Sequence, residues 1–357
     1  MPDALAHAPK PANGVRADSA RLSGAPLVLA RGAWIVFTLV SVGLLGAAMP
    51  LAYQQMTTPH TGPQCADTRF SPAQFAAMRA AGFSISGFAA WVIAIQCFVM
   101  LVYVGVGALL FWRRSDNRMA LLAATALVLF GNTYSDSHWL GASCALHSAW
   151  PAAGLLFDLL EMVAGFLGAA LFFTFPSGRW IPRWSGWLLF LWLLQVPAGL
   201  IPAPAHDFLM AHAWIGGVSG LLRIASGVLA QVYRYRRVST PAERLQTKWV
   251  VLGIAVGLGG AGAIIVVGGA AGFVGPHMTT TNWSANLLAG TAIQLCEALL
   301  PISIGIALLR SRLFDVDQII NRVLVYGSLT GVLGGSISAA SSRYKGWCAP
   351  SPGRLSR

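Results

Sequence analysis

Four ionisable side chains stand inside apolar runs of this chain: Asp158, Glu161, Arg223 and Glu297. A lone charge in hydrocarbon costs at least about 2.5–3.5 kcal/mol on insertion scales. Such residues are therefore expected to face one another inside a bundle. Asp158 and Glu161 are three apart and share one helix face. Counted from the expected outer ends of their runs, all four lie roughly 12–17 Å deep at about 1.5 Å per residue. That common depth predicts one polar cluster, with Arg223 pairing a carboxylate. Two chemistries are open to it: a proton- or signal-responsive switch, or a structural clasp between helices, and the clasp is favoured. A transporter with a midplane substrate site is a third reading. It calls for an inverted repeat with interrupted helices, which the sequence does not display. Gly257, Gly259, Gly260 and Gly262 in one run fit close helix packing better than a broken helix.

Histidines and cysteines carry the remaining candidate chemistry. His60, His138, His147, His206, His212 and His277 all fall on one expected side, with Asp67, Asp136 and Asp207 in the same loops. They could sense pH or hold a metal, but no pair has the short helical spacing of a ligand motif. Scattered surface histidines are favoured, so no metal and no cofactor is expected. No two cysteines are spaced C-x-x-C, so neither a zinc nor a redox motif is indicated. Cys65 and Cys144 fall in outer loops, where a disulfide is permitted; two unpaired thiols are the equal alternative. Cys97 and Cys296 lie within apolar runs, and Cys348 lies in the tail.

The elements that position these groups follow from composition. Hydrophobic residues make up 56% of the chain and charged residues only 10%, against about 25% charged in soluble proteins. This predicts an all-α, polytopic membrane helix bundle. Crossing the hydrocarbon takes about 20 helical residues. Eight runs are expected to span: 33–53, 87–112, 119–134, 150–175, 186–203, 214–233, 250–274 and 287–309, with a partial ninth at 323–342. Residues 1–30, rich in Ala and Pro, are expected to be a disordered tail. Together the spans form a bundle over 31–309, followed by an interfacial segment at 310–322 and a basic tail at 343–357. Ser71, Pro72 and Gly82 predict a short helix over 72–81, with Phe75 and Met78 on one face.

The net charge of +12 is distributed by loop. Arg31, Arg113, Arg114, Arg118, Arg179, Arg183, Arg234, Arg236 and Arg237 fall on one side; Arg69 and Arg79 fall on the other. The positive side is the cytoplasmic one. This predicts an inner (cytoplasmic) membrane protein with its amino terminus inside, and the lipid bilayer rather than nucleic acid as the partner of its basic residues.

Residues 299–327, "LLPISIGIALLRSRLFDVDQIINRVLVYG", resemble the end of the multi-span membrane sensor region of a group of bacterial sensor histidine kinases. "FWRRSDNRMALL", "FPSGRWIPRW" and "RLQTKWVVLG" resemble the same group in the same order. In "FPSGRWIPRW", Trp180 and Trp184 suit the headgroup level. Leu313, Val316, Ile319, Ile320 and Val323 form an apolar stripe beside Arg310, Arg312, Asp315, Asp317, Asn321 and Arg322, which fits an amphipathic helix at the inner interface. The resemblance implies a signal-output role for that segment in two-component signal transduction. It also implies homodimers and an extracytoplasmic or lipid-phase ligand. The group continues with a phospho-accepting dimerisation domain and an ATPase domain. Neither has a counterpart in this sequence, so no enzyme activity and no catalytic residue is expected, and a frameshift or premature stop near residue 339 is the expected cause. The rivals are a receptor-like membrane protein signalling through a partner chain and a small-molecule transporter.

Overall fold

The computed structural model describes residues 22–60, 69–134, 140–175, 178, 180, 184–193, 213–237, 241–270 and 283–309. The chain divides into two units, Met1–Arg312 and Leu313–Arg357, and all described residues belong to the first. Every described element is helical: α1 Ala25–Thr57, α2 Pro72–Ala80, α3 Ile85–Arg114, α4 Arg118–Leu129, a π-helical turn Phe130–Tyr134, α5 Ala142–Ala149, α6 Pro151–Thr174, α7 Ser185–Leu193, α8 Ala213–Arg237, α9 Pro241–Ala270 and α10 Trp283–Leu309.

Five helices are long and apolar enough to cross a membrane: α1, α3, α6, the Thr247–Gly268 part of α9, and α10. Their apolar side chains point outward as well as inward. Val36, Leu39, Leu101, Val266 and Leu288 are each more than half exposed, whereas Ser41, Gln96, Asn132, Asp158 and Gln294 are buried. Lipid accepts the former, and packing between helices must satisfy the latter. The structure thus gives an all-α bundle with five such helices among the described residues. The expected span 119–134 is α4 plus the π turn, too short to cross unaided at about 24 Å. Only α7 is described within the expected span 186–203, and α8 covers the expected span 214–233 as a helix. The interfacial segment 310–322, with its Arg310, Arg312, Asp315, Asp317, Asn321 and Arg322, lies outside the described residues. So do the partial ninth span 323–342 and the tail 343–357.

One expectation is overturned at the amino terminus. Residues 25–30, assigned to the tail, are the first turns of α1, with Pro26 in its first turn. The segment is tied down: the Leu22 N–H donates to the Asp116 carbonyl at 2.7 Å, and Arg31 Nε donates to Ser115 Oγ at 3.1 Å. The α3–α4 turn is itself fixed by Asn117, which accepts from the N–H groups of Met119 and Ala120. The start of α1, the end of α3 and the start of α4 therefore meet at one end of the bundle. Arg31, Arg113, Arg114 and Arg118 share this basic end.

The opposite end collects α2, α5 and the termini of their neighbours. Ser71 caps α2 in a capping box with Gln74, Pro72 opens it, and Gly82 follows it at φ 80°. Phe75 and Met78 are buried, as their spacing predicts. They join Met56, Phe70, Phe88, Leu146, Phe157 and Trp283 in one apolar cluster. α9 lies closely against α10: a Cβ at Gly257 would stand 3.0 Å from the Cys296 carbonyl oxygen, and one at Gly260 would stand 3.1 Å from Cys296 Sγ. Gly262 faces open space, so only part of the glycine pattern serves packing.

Candidate functional site

α5 is an eight-residue helix lying against the start of α6, and it is entered through Gly141 at φ 64°. Left-handed backbone of this kind favours glycine. Ser143 and His147 are four apart and so face the same way. Asp158 meets them from the second turn of α6. Ser143 Oγ donates to Asp158 Oδ1 at 2.7 Å, and His147 Nε2 lies 2.8 Å from Oδ2. Asp158 is fully buried, whereas the His147 side chain is 31% exposed. An ionised carboxylate only accepts, so the ring nitrogen facing it carries a proton.

Gly154 makes this approach feasible. It lies one turn before Asp158, directly under the imidazole, where a Cβ would stand 2.5 Å from His147 Cγ. The ring is held between a glycine surface and a carboxylate while one edge meets the exterior. Beside it, Gln55 Nε2 donates to Ser148 Oγ at 2.7 Å, joining the end of α1 to α5. Cys144 is disulfide-bonded, and its sulfur lies 3.6 Å from Gln55 Oε1. Cys97 and Cys296 are free. Cys65, the expected partner of Cys144, lies outside the described residues.

The expected four-residue cluster is only partly in view. Both Asp158 oxygens are engaged by α5. Glu161 follows one turn later, half-buried. The Arg223 side chain lies outside the described residues. Glu297 lies in α10. α10 begins at Trp283, whose indole packs edge-on against Phe70 and Phe88. Glu297 is therefore fourteen residues into its helix, about 21 Å, whereas Asp158 is seven residues into α6, about 11 Å.

A second polar seam, unforeseen from sequence, runs between α3 and α10. Trp91 Nε1 donates to Thr291 Oγ1 at 2.9 Å, Gln294 Nε2 to Gln96 Oε1 at 3.4 Å, and Tyr103 Oη to the Glu297 carbonyl at 3.0 Å. The last bond has a local cause. Pro301 lies inside α10 and has no N–H, so the carbonyl four residues earlier loses its helical donor. That carbonyl belongs to Glu297, and Tyr103 replaces the missing donor. The Tyr103 ring packs over Gly131 in the π turn, where no side chain could fit, and stacks on Phe130. One tyrosine thus joins α3, the π turn and α10.

At the basic end, Arg234 of α8 is 2% exposed. It donates to the carbonyls of Phe173 and Phe175, at the carboxy-terminal end of α6. α6 has no basic residue of its own in its last turn. A cation there satisfies carbonyls left over by the helix and complements its dipole. Arg234 is thus an anchor between helices rather than a free loop charge.

Of the histidines, His60 Nδ1 lies 3.3 Å from Arg69 Nη1. His138, His206, His212 and His277, with Asp67, Asp136 and Asp207, lie outside the described residues. Among the described residues, no three His, Cys, Asp or Glu side chains converge as metal ligands would. The arrangement at Asp158 joins a partly exposed imidazole to a fully buried carboxylate across the α5–α6 contact. No family model, no curated protein and no solved structure matches this chain.

Proposed function

We propose that the chain is the membrane-embedded signal-input region of a two-component sensor histidine kinase, placed in the inner membrane with its basic end in the cytoplasm. The observation that carries this reading is α10. It starts at the α5 end beside Phe70 and Phe88, crosses the bundle, and leads at Leu309 into "RSRLFDVDQIINR", the motif that resembles the output junction of such kinases. The clustering of Arg31, Arg113, Arg114 and Arg118 at the basic end agrees with that orientation.

In this reading the input lies at the α5 end. Histidine is the side chain whose charge changes between about pH 5 and pH 8. A new charge on His147 alters its bond to Asp158 and so the fit of α5 on α6. α6 packs against α4 and the π turn, and Tyr103 carries any shift there to the Pro301 region of α10. In this reading the shift at the end of α10 is the signal, and homodimers transmit it to a kinase core.

The test is a fusion of residues 1–331 to the dimerisation and ATPase domains of a two-component kinase, reconstituted in vesicles. Autophosphorylation should change when the α5 side is acidified from about pH 8 to about pH 5.5. His147→Phe and Asp158→Asn should remove that response. Equal phosphorylation in all three proteins at both pH values would contradict the reading.

A further inference from the structure

Four arginines meet at the basic end of the bundle from three elements. Arg31 lies in the second turn of α1, Arg113 and Arg114 end α3, and Arg118 opens α4. All four side chains are exposed. No ion pair joins any of them to a carboxylate among the described residues, and one acid, Asp116, stands in the turn between α3 and α4. Arg31 is held in place. Its Nε donates to Ser115 Oγ at 3.1 Å, and Ser115 is only 7% exposed. The bond keeps the guanidinium at the α3–α4 turn, where Arg114 precedes Ser115 and Arg118 follows it by three residues.

Helix electrostatics account for two of the four. Arg113 and Arg114 complement the negative end of α3. Arg118 does the opposite: it opens α4, whose first turn holds no acid, and the positive end of the helix dipole opposes a cation there. Four like charges against one acid call for a further anion. The flanking surface identifies what bears it. Val28 is 70% exposed and Leu29 73%, shortly before Arg31, and Trp112, beside Arg113, is 80% exposed. A free anion would leave these apolar side chains uncovered. A phospholipid with a net negative headgroup covers them with its acyl chains and sets its phosphate among the guanidinium groups. Guanidinium forks match phosphate oxygens in pairs, and tryptophan suits the headgroup level.

We propose that the corner formed by α1, α3 and α4 is a binding site for an anionic phospholipid, whose phosphate is held by Arg31, Arg114 and Arg118 while its acyl chains lie along Val28, Leu29 and Trp112. The site requires that the apolar helices cross a bilayer, not the signalling role proposed above, and it is read without any kinase output.

The test uses the full chain in phosphatidylcholine nanodiscs doped with one of two photoreactive probes, a phosphatidylglycerol or a phosphatidylcholine, each with a diazirine at the same acyl carbon. After irradiation, adducts are mapped by peptide mass spectrometry. The anionic probe should label residues 25–36 and 105–112 in preference to the zwitterionic one, by roughly fivefold for each arginine engaged. Arg114→Gln with Arg118→Gln should lower that preference at least about fivefold. Arg236→Gln with Arg237→Gln removes the same charge from the end of α8 and should leave it unchanged. Inorganic phosphate at millimolar concentration should not displace the probe. Should the Arg114 and Arg118 variant not be recovered in membranes, competition reads the same distinction: unlabelled phosphatidylglycerol should displace the anionic probe, and phosphatidylcholine should not. Equal labelling by both probes, equal loss with both arginine pairs, or displacement by inorganic phosphate would overturn the proposal, leaving respectively no selectivity, a diffuse surface potential or a free-anion site.

Discussion

Replacing Tyr103 by Phe removes one oxygen and leaves the ring that packs on Gly131 and Phe130 in place. The lost bond is the 3.0 Å contact from Tyr103 Oη to the Glu297 carbonyl. In an uninterrupted helix that carbonyl would fall back on the N–H of residue 301. Here residue 301 is proline, so the carbonyl is left without a donor. An unsatisfied buried polar group costs about 1–3 kcal/mol. Hydrogen bonds between membrane helices average about 0.6 kcal/mol and reach about 1.7. The missing fallback places this bond near the upper end, so Tyr103→Phe should cost about 1.5 kcal/mol. Pro301→Ala returns a backbone N–H to position 301. In that background the same substitution should cost under about 0.5 kcal/mol. The measurement is a double-mutant cycle on reversible denaturant unfolding in mixed micelles, with a coupling of about 1 kcal/mol expected. Additive losses would show that Tyr103 does not substitute for the absent donor, and the proposed link between α3 and α10 would go with it.

Three other outcomes follow from the geometry. Gly154→Ala places a methyl group 2.5 Å from the His147 ring, so it should destabilise the chain by about 1–3 kcal/mol; combining it with His147→Ala should recover much of the loss in thermal denaturation. Arg234→Met keeps the apolar stem but strips the carbonyls of Phe173 and Phe175 of a donor. A loss of about 1–3 kcal/mol is expected in unfolding titrations, together with faster hydrogen exchange in the last turn of α6. Non-reducing peptide mapping of intact membranes should recover Cys144 linked to Cys65; recovery of Cys65 as a free thiol would reject that pairing.

Much of the bundle was legible because lipid imposes length and composition on spanning helices, so apolar runs located α3, α6 and α10 to within a few residues and α1 except for its first two turns. α2 was legible for a different reason: its Ser71, Pro72 and Gly82 are local signals whose geometry does not depend on the rest of the fold. α5 was not, because "ASCALHSA" is short and of mixed polarity. Its place follows only from packing on α6. The partners of Asp158 were missed with it, although Ser143 and His147 at helical spacing were a readable sign. The start of α10 was placed four residues late because Trp283 and Asn286 lowered the apparent hydropathy there, yet both are buried. The role of Tyr103 needed a contact between residues 194 positions apart, and one sequence does not supply it. Pro301 nevertheless announced that some donor had to come from elsewhere.

Coupling between His147 and the end of α10 is the claim on which the account turns, and a distance measurement addresses it directly. Spin labels at Trp112→Cys on α3 and Leu309→Cys on α10, with Cys97, Cys296 and Cys348 replaced by Ala, report movement at the basic end. Pulsed electron resonance in nanodiscs would compare about pH 8 with about pH 5.5. The account predicts a shifted distance distribution on acidification, and no shift once His147 is replaced by Phe or Tyr103 by Phe. The same distribution at both pH values in the chain retaining His147 and Tyr103 would contradict it.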